Sequence, residues 1–404
     1  MSLQFFKNYN ILCKIGEGSF SEVLKVQSIK TGQVFAAKRL KKMFKDDLDL
    51  LTCVELAAIK NMDHHPNVIE IIDIVCDPLP GHLTLIFELM DMSLYEYLKT
   101  RKRCPSELKV RLFLYQLICG IRHLHLNGIF HRDIKPENIL LKFDSKHQFG
   151  FSQIELLKIA DMGSACNIYK SPPHTAYIST RWYRAPECLL SHGYYGPKMD
   201  IWSLGCVFYE MLTLLPLFPG DNELDQLYRI HDILGTPTIS MLSRFKKRTK
   251  MFMFPKRKPI GLHNLLPATS DDGVDILSRC LIYLPEIRFD ISRIANHSYF
   301  RNLRTSSSEF YSTPSLICPA AKKCTQLTAR KANPLKDTLN ANKTLKSKGK
   351  LTSVTSRSLD TQIFSISNRE NILKQKERIW GMSPGNAKTA LIKTTIFPQR
   401  RKIK

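Results

Sequence analysis

"FHRDIKPENIL", Phe130 to Leu140, places His131, Arg132, Asp133, Lys135 and Asn138 in one short loop that an apolar, strand-like run follows. A loop that only joins two elements rarely needs five such groups so close together. Phosphoryl transfer gives the central ones work: Asp133 accepts the proton of an attacking hydroxyl, Lys135 meets developing phosphate charge, and the Asn138 amide oxygen holds a metal. Downstream, "KIADMGSAC" (158–166) brings Asp161, a carboxylate for magnesium, and "APE" at Ala185 to Glu187 closes the segment.

Upstream lies the partner half of such a site. "IGEGSFSEV" sits between two strand-like runs and puts glycines at 16 and 18, where backbone can approach a phosphate; a plain hairpin turn explains the same stretch. Ser21 stands where a third glycine is expected. "FAAKRL" sets Lys38 in an apolar strand, and a buried ammonium needs a partner, which Glu55 on the following helix supplies. "YNILCKIG", "SEVLKVQSI", "QVFAAKRL" and "HLTLIFEL" are short β-rich runs bounded by Gly, Asp or Pro, whereas "DDLDLLTCVELAAIKNM" has helical spacing behind an acidic start. From about residue 92 helices dominate to about Phe300. The expected fold is α+β: a small β-rich lobe (9–90), a larger helical lobe (91–300), and a cleft between them for a ligand, with residues 1–8 as an N-terminal extension.

A chain of 404 residues, 43% of them hydrophobic, can bury one large core or two joined lobes. No apolar run of about 18 residues suggests a membrane span, the first residues lack a signal peptide's apolar core, and Ser2 excludes a myristoylation signal. The 11 cysteines are scattered without a Cys-Xaa-Xaa-Cys pair, which suits buried thiols better than zinc or disulfides. From Arg301 onward 22 Lys and Arg face 5 Asp and Glu, a net of +17 out of the chain's +24. This basic, Ser/Thr-rich stretch (301–404) reads as mostly disordered, with "NRENILKQKERIW" as a short amphipathic exception. A solvated extension is one reading; binding of nucleic acid, an anionic membrane or an acidic protein is the other.

Across about residues 9 to 300 the sequence resembles the eukaryotic protein kinases, and "YISTRWYRAPECLL", "KMDIWSLGCVFYE" and "PLFPGDNELDQLYRIHDILGTP" resemble the branch containing mitogen-activated and cyclin-dependent kinases. The resemblance implies ATP and Mg2+ as cofactors and serine or threonine hydroxyls of proteins as acceptors. Ile15, Gly16, Glu17, Gly18, Ser19, Phe20, Ser21, Glu22 and Val23 would cover ATP. Val23, Ala36 and Leu140 would sandwich adenine, Glu88 and Met90 would offer backbone groups to its edge, and Phe87 would guard the pocket behind. Lys38, paired to Glu55, would hold the α- and β-phosphates; Asn138 and Asp161 would ligate magnesium; Thr180 would stand beside Asp133 and Lys135. Glu187 would pair with Arg288. Proline after the acceptor would be tolerated, "DLLTCVELAAIK" resembles no cyclin-contact helix, and relatives act in cytoplasm, nucleus and cilium, which leaves all three open.

Three departures bear on regulation. Met162 replaces the usual Phe after the metal Asp; as an adaptable apolar residue it can fill the same gap, so an active enzyme with a shifted resting balance is expected rather than a catalytically dead scaffold that holds partners through its fold and basic tail. The activation segment carries Thr175, Ala176 and Tyr177. Arg181 and Arg184 stand where related kinases receive phosphotyrosine, whereas for phosphothreonine only Arg132 is in place, since Val54 and Cys166 occupy the other two arginine positions. Tyr177 is thus the better-supported phosphorylation site, filled by an upstream kinase or by autophosphorylation, for which Thr313 and Ser383, each before a proline, are tail candidates. Finally, "LKFDSKHQFGFSQIELLKIAD" lengthens the link from Asn138 to Asp161 by about ten residues, read as an extended surface hairpin.

Overall fold

Side-chain alternation builds the first lobe. The computed structural model describes residues 3–60, 62–77, 80–143, 155–175, 180–245, 254–301 and 303. Strands β1 (Tyr9–Glu17), β2 (Ser21–Ser28), β3 (Val34–Phe44), β4 (Ile71–Cys76) and β5 (Gly81–Glu88) form an antiparallel sheet in the order β1-β2-β3-β5-β4. Because the period is two, Leu24, Val26, Ala37 and Ile86 share one buried face, and Ala36, Leu83, Leu85 and Phe87 the other. Lys38 follows Ala36 onto the second face. A helix the sequence did not suggest, α1 (Leu3–Asn8), sends Phe5 into the first cluster beside Tyr9, so the extension is folded into the lobe.

The single helix expected after β3 is two, α2 (Asp47–Leu50) and α3 (Val54–Lys60). Thr52 explains the break: its hydroxyl donates to the Asp49 carbonyl at 2.6 Å, a local bond that competes with helix continuation. The restart places Glu55 in the first turn of α3, facing Lys38. Strand β4, "IIDIVC", is also an addition to the sequence reading; its Asp73 accepts from the Tyr9 hydroxyl at 2.8 Å.

The second lobe begins with β6 (Met92–Ser93) and α4 (Leu94–Lys99), which Ser93 and Glu96 cap reciprocally. Helix α5 (Glu107–Leu126) leads to β7 (Ile129–Phe130), the catalytic loop, and the hairpin of β8 (Ile139–Phe143) and β9 (Glu155–Ile159). The connection within that hairpin, where the insertion was read, lies outside the described residues, as does the tail from 304. Strand β10 (Cys166–Asn167) pairs with β7. Helix α6 (Pro186–Leu190) precedes α7 (Lys198–Thr213), which is apolar nearly all round and buried against α5. Helices α8 (Glu223–Leu234), α9 (Ile239–Leu242), α10 (Leu262–Leu265), α11 (Asp271–Cys280) and α12 (Ile291–Ala295) complete the lobe. No described helix is long and apolar enough to cross a membrane.

His231 of α8 is fully buried against Phe254 and the Tyr283 hydroxyl, and burial pushes its pKa down to about 4. The unfolded chain therefore binds the extra proton first as pH falls, so this stability is present above the unfolded pKa near 6.5 and is lost towards 4. We expect His231 to account for about 3 kcal/mol of lost stability by pH 4. Urea midpoints at pH 7 and pH 4.5 for wild type and His231→Phe test this; equal acid sensitivity in both would contradict it.

Candidate active site

The site grows from one buried carboxylate that the sequence reading did not single out. Asp200, in the first turn of α7, accepts the backbone N–H of His131 at 2.8 Å on one oxygen and that of Arg132 at 2.9 Å on the other, and His125 Nε2 lies 2.9 Å away. A fully buried charge is tolerated when so bonded, and these bonds together with the imidazole outweigh burial to hold the Asp200 carboxyl below its usual range. They also pin Arg132, whose φ of 68° is left-handed and would otherwise cost about 1–2 kcal/mol. His131 then locks the next step: its Nδ1 accepts from the Asp133 N–H at 3.2 Å, so Nε2 carries the proton and donates to the Ala160 carbonyl at 3.0 Å. One imidazole thus ties the catalytic loop to the strand end before Asp161.

Asp133 is held from three sides. One carboxylate oxygen accepts the Thr180 N–H at 3.0 Å; the other accepts Asn138 Nδ2 at 3.0 Å and the Lys135 ammonium at 2.8 Å. Lys135 also donates to the Thr180 hydroxyl at 2.9 Å. Burial alone would pull the Lys135 pKa down, but Asp133 more than offsets it, so the ammonium is held charged. With its amide nitrogen on Asp133, Asn138 leaves Oδ1 with no donor among the described residues.

The opposite wall is the triad of Lys38, Glu55 and Asp161. Lys38 Nζ lies 2.9 and 2.7 Å from the two Glu55 oxygens and 2.8 Å from Asp161 Oδ1. Burial pushes the Glu55 pKa up despite Lys38; at Asp161 the Lys38 ammonium outweighs burial and holds the carboxyl down. Asp161 Oδ1 also accepts the Gly163 N–H, while Oδ2 has no donor among the described residues. Among the described residues this leaves two hard oxygens, Asn138 Oδ1 and Asp161 Oδ2, without a donor. That donor set fits Mg2+, which keeps several waters and takes phosphate oxygens rather than a full protein cage; no group of three or more His, Cys, Asp or Glu among the described residues could hold a metal alone.

Between these walls lies an apolar slot. Ala36, Phe87, Met90 and Leu140 belong to one cluster with Ala160, Ala36 and Phe87 are direct register partners, and Val23 pairs with Lys38 across β2 and β3. The Glu88 carboxylate is taken up by Lys158 at 2.6 Å and by the Glu70 N–H. The loop over the slot is open: Phe20 is 85% exposed, Ile15 is half-exposed, and Glu17 is gripped by Lys14 and Lys41, which hold its pKa down to about 2. Neither Gly16 nor Gly18 has positive φ, and a Cβ on either would meet only ordinary contacts. The fold therefore does not demand glycine there.

Met162 is fully buried, and the turn it opens, Met162–Ser164, packs against α3. Thr175 is described and exposed, Tyr177 lies outside the described residues, and Arg181 donates to the Asp221 carbonyl at 2.8 Å. Arg184 is not the open anion receptor expected: it is 1% exposed and paired with Glu223 at 3.2 Å. Its neighbours Ala185 and Pro186 are apolar and buried, which draws the guanidinium in with them. Glu187 and Arg288, both fully buried, pair at 2.6 and 2.9 Å.

Residues 9–300 match the family model described as Protein kinase domain. The chain is 44% identical over 304 residues to the MAPK/MAK/MRK overlapping kinase of Mus musculus, covering 75% of this chain and 70% of that protein. It is 35% identical over 295 residues to the serine/threonine-protein kinase MAK of Homo sapiens and to the serine/threonine-protein kinase ICK of Mus musculus, covering 72% of this chain and 45% of each relative.

Proposed function

The chain belongs to the protein kinase family, as a serine/threonine kinase of the branch that holds the MAPK/MAK/MRK overlapping kinase, MAK and ICK, and from that premise we propose how its own residues carry out the transfer. The observation that carries the reading is Asp133, held by Lys135, Asn138 and Thr180 across from the Lys38–Glu55–Asp161 triad. Asp133 orients a substrate serine or threonine hydroxyl and accepts its proton as the oxygen bonds to the γ-phosphorus of ATP and the bond to the β-phosphate oxygen breaks. Lys135 meets the charge on the transferred group, and Lys38, held by Glu55, receives the α- and β-phosphates. Ala36, Val23 and Leu140 grip the adenine, with Phe87 behind it and the Glu88–Met90 backbone along its edge. Asn138 and Asp161 would hold Mg2+, which when bound neutralises phosphate charge.

Substrates are proteins; acceptance of proline after the acceptor, independence from a cyclin, and residence in cytoplasm, nucleus or cilium are further parts of the proposal. The basic tail is proposed as a contact for an acidic protein or nucleic acid. For regulation, Tyr177 rather than Thr175 is proposed as the phosphorylated residue. Support comes from the missing arginines at 54 and 166; Arg184 is committed to Glu223, so the role of receiving phosphotyrosine falls to Arg181. A larger loss of activity in Thr175→Ala than in Tyr177→Phe would contradict this assignment.

Met162 fills the plug position while the Lys38–Glu55 pair is made, which favours an active enzyme over a partner-holding scaffold. Met162→Ala is expected to lower transfer to a basic protein substrate at least about tenfold, equivalent to ~1.4 kcal/mol of population shift, through the cavity it opens beneath α3. Met162→Phe is expected to match or exceed wild type. Wild-type rates in Met162→Ala would show that the residue is no plug.

A further inference from the structure

Thr175 sits where a phosphate would usually order the activation segment, and here its backbone is held by side chains of the chain itself. The Arg132 guanidinium donates from Nε to the Ser164 carbonyl, from Nη2 to the Ala165 carbonyl at 3.4 Å, and from Nη1 to the Tyr195 hydroxyl at 3.2 Å. That hydroxyl in turn donates to the Thr175 carbonyl at 2.7 Å. Tyr195 is 6% exposed and its ring packs at 5.2 Å from the His174 ring and 6.4 Å from that of Phe130. One residue earlier the His174 N–H donates to the Gly193 carbonyl at 2.9 Å. The approach there is so close that a Cβ on Gly193, whose φ is +93°, would lie 2.2 Å from the His174 carbonyl oxygen. The segment is therefore stitched to the 193–195 loop at two successive residues.

We propose that Tyr195 is a positioning residue that takes the place of an activating phosphate: its hydroxyl links Arg132 of the catalytic loop to the Thr175 backbone and holds the segment in the transfer-competent arrangement. The inference rests on the kinase reading above. Elsewhere a phosphate dianion would bridge several arginines to order such a loop. Here two of the three arginine positions are Val54 and Cys166, and the third arginine is engaged by a neutral hydroxyl that both accepts and donates. Further along the segment the Thr180 N–H donates to Asp133, so its placement bears on the catalytic carboxylate.

The test uses the full chain, treated with a serine/threonine-specific phosphatase that leaves Tyr177 in its starting state, and verified free of phosphate at Thr175. Thr175→Val, which keeps the backbone carbonyl, should retain transfer within about twofold, and Tyr195→Phe, which removes one oxygen, should lower kcat about tenfold, the equivalent of one hydrogen bond to a charged partner's network, with KM for ATP unchanged. Amide hydrogen exchange across 164–175 should rise in Tyr195→Phe and in Gly193→Ala, whose fold is checked by thermal melting. Dependence of the phosphate-free wild type on Thr175 phosphate would overturn the proposal, as would wild-type kcat and exchange in Tyr195→Phe. A wild type with no transfer in either phosphorylation state would defeat the kinase reading instead, while the exchange comparison would still decide whether Tyr195 anchors the segment.

Discussion

Asp133→Asn is expected to lower phosphoryl transfer on the order of 10³-fold, within the range for removal of a positioned general base, while leaving the KM for ATP close to wild type. The amide is nearly isosteric, so one oxygen can still accept the Thr180 N–H. The second oxygen becomes an amide nitrogen facing Asn138 Nδ2 and the Lys135 ammonium, both donors, at positions now 3.0 and 2.8 Å from an acceptor. The hydroxyl proton then has no base to go to. Steady-state kcat and KM against a basic protein substrate give the result, and transfer retained within tenfold would mean that Asp133 is not the base.

The largest stability effect is expected at the other end of the activation segment. Arg288 donates to both Glu187 oxygens and also to the carbonyls of Ile282, Lys198 and Tyr283, all out of water. Removing one partner of such a buried pair leaves an uncompensated charge, so Arg288→Ala should cost about 3–5 kcal/mol. The double variant Glu187→Leu with Arg288→Leu should recover part of that loss, because no charge is then stranded. Activity should fall with stability, since Lys198 opens the helix whose Asp200 carries the catalytic loop. A loss below about 1 kcal/mol in urea titration would show that the pair behaves as an exposed one.

Much of the site was legible because phosphoryl transfer asks for particular groups at short spacing. Asp133, Lys135 and Asn138 lie within six residues, and the structure brings them to hydrogen-bond distance of one another. Lys38 and Glu55 could be paired by burial alone, since an ammonium in an apolar strand needs a carboxylate. Asp200 and Tyr195 could not be found that way. Their catalytic-loop partners lie more than 60 residues away in sequence, and nothing beside them in the chain marks the contact; the one available signal was a charged residue inside the otherwise apolar run "MDIWSLG". The lobes followed from hydrophobic period, whereas the helix break at Thr52 turned on a single side-chain bond to backbone. Arg184 differs from its expected role for a related reason: its type suits a phosphate, but its place among core residues buries it and leaves it paired with Glu223.

The proposed function depends on one step, movement of a phosphoryl group onto protein serine or threonine through Asp133. The most direct measurement incubates the full chain with γ-labelled ATP, Mg2+ and a basic protein substrate, then identifies the labelled amino acids after hydrolysis. Label on phosphoserine and phosphothreonine, absent from the Asp133→Asn reaction, is the result predicted. No label from folded wild type and Met162→Phe, with and without activation-segment phosphate, would contradict it and leave the fold as a scaffold.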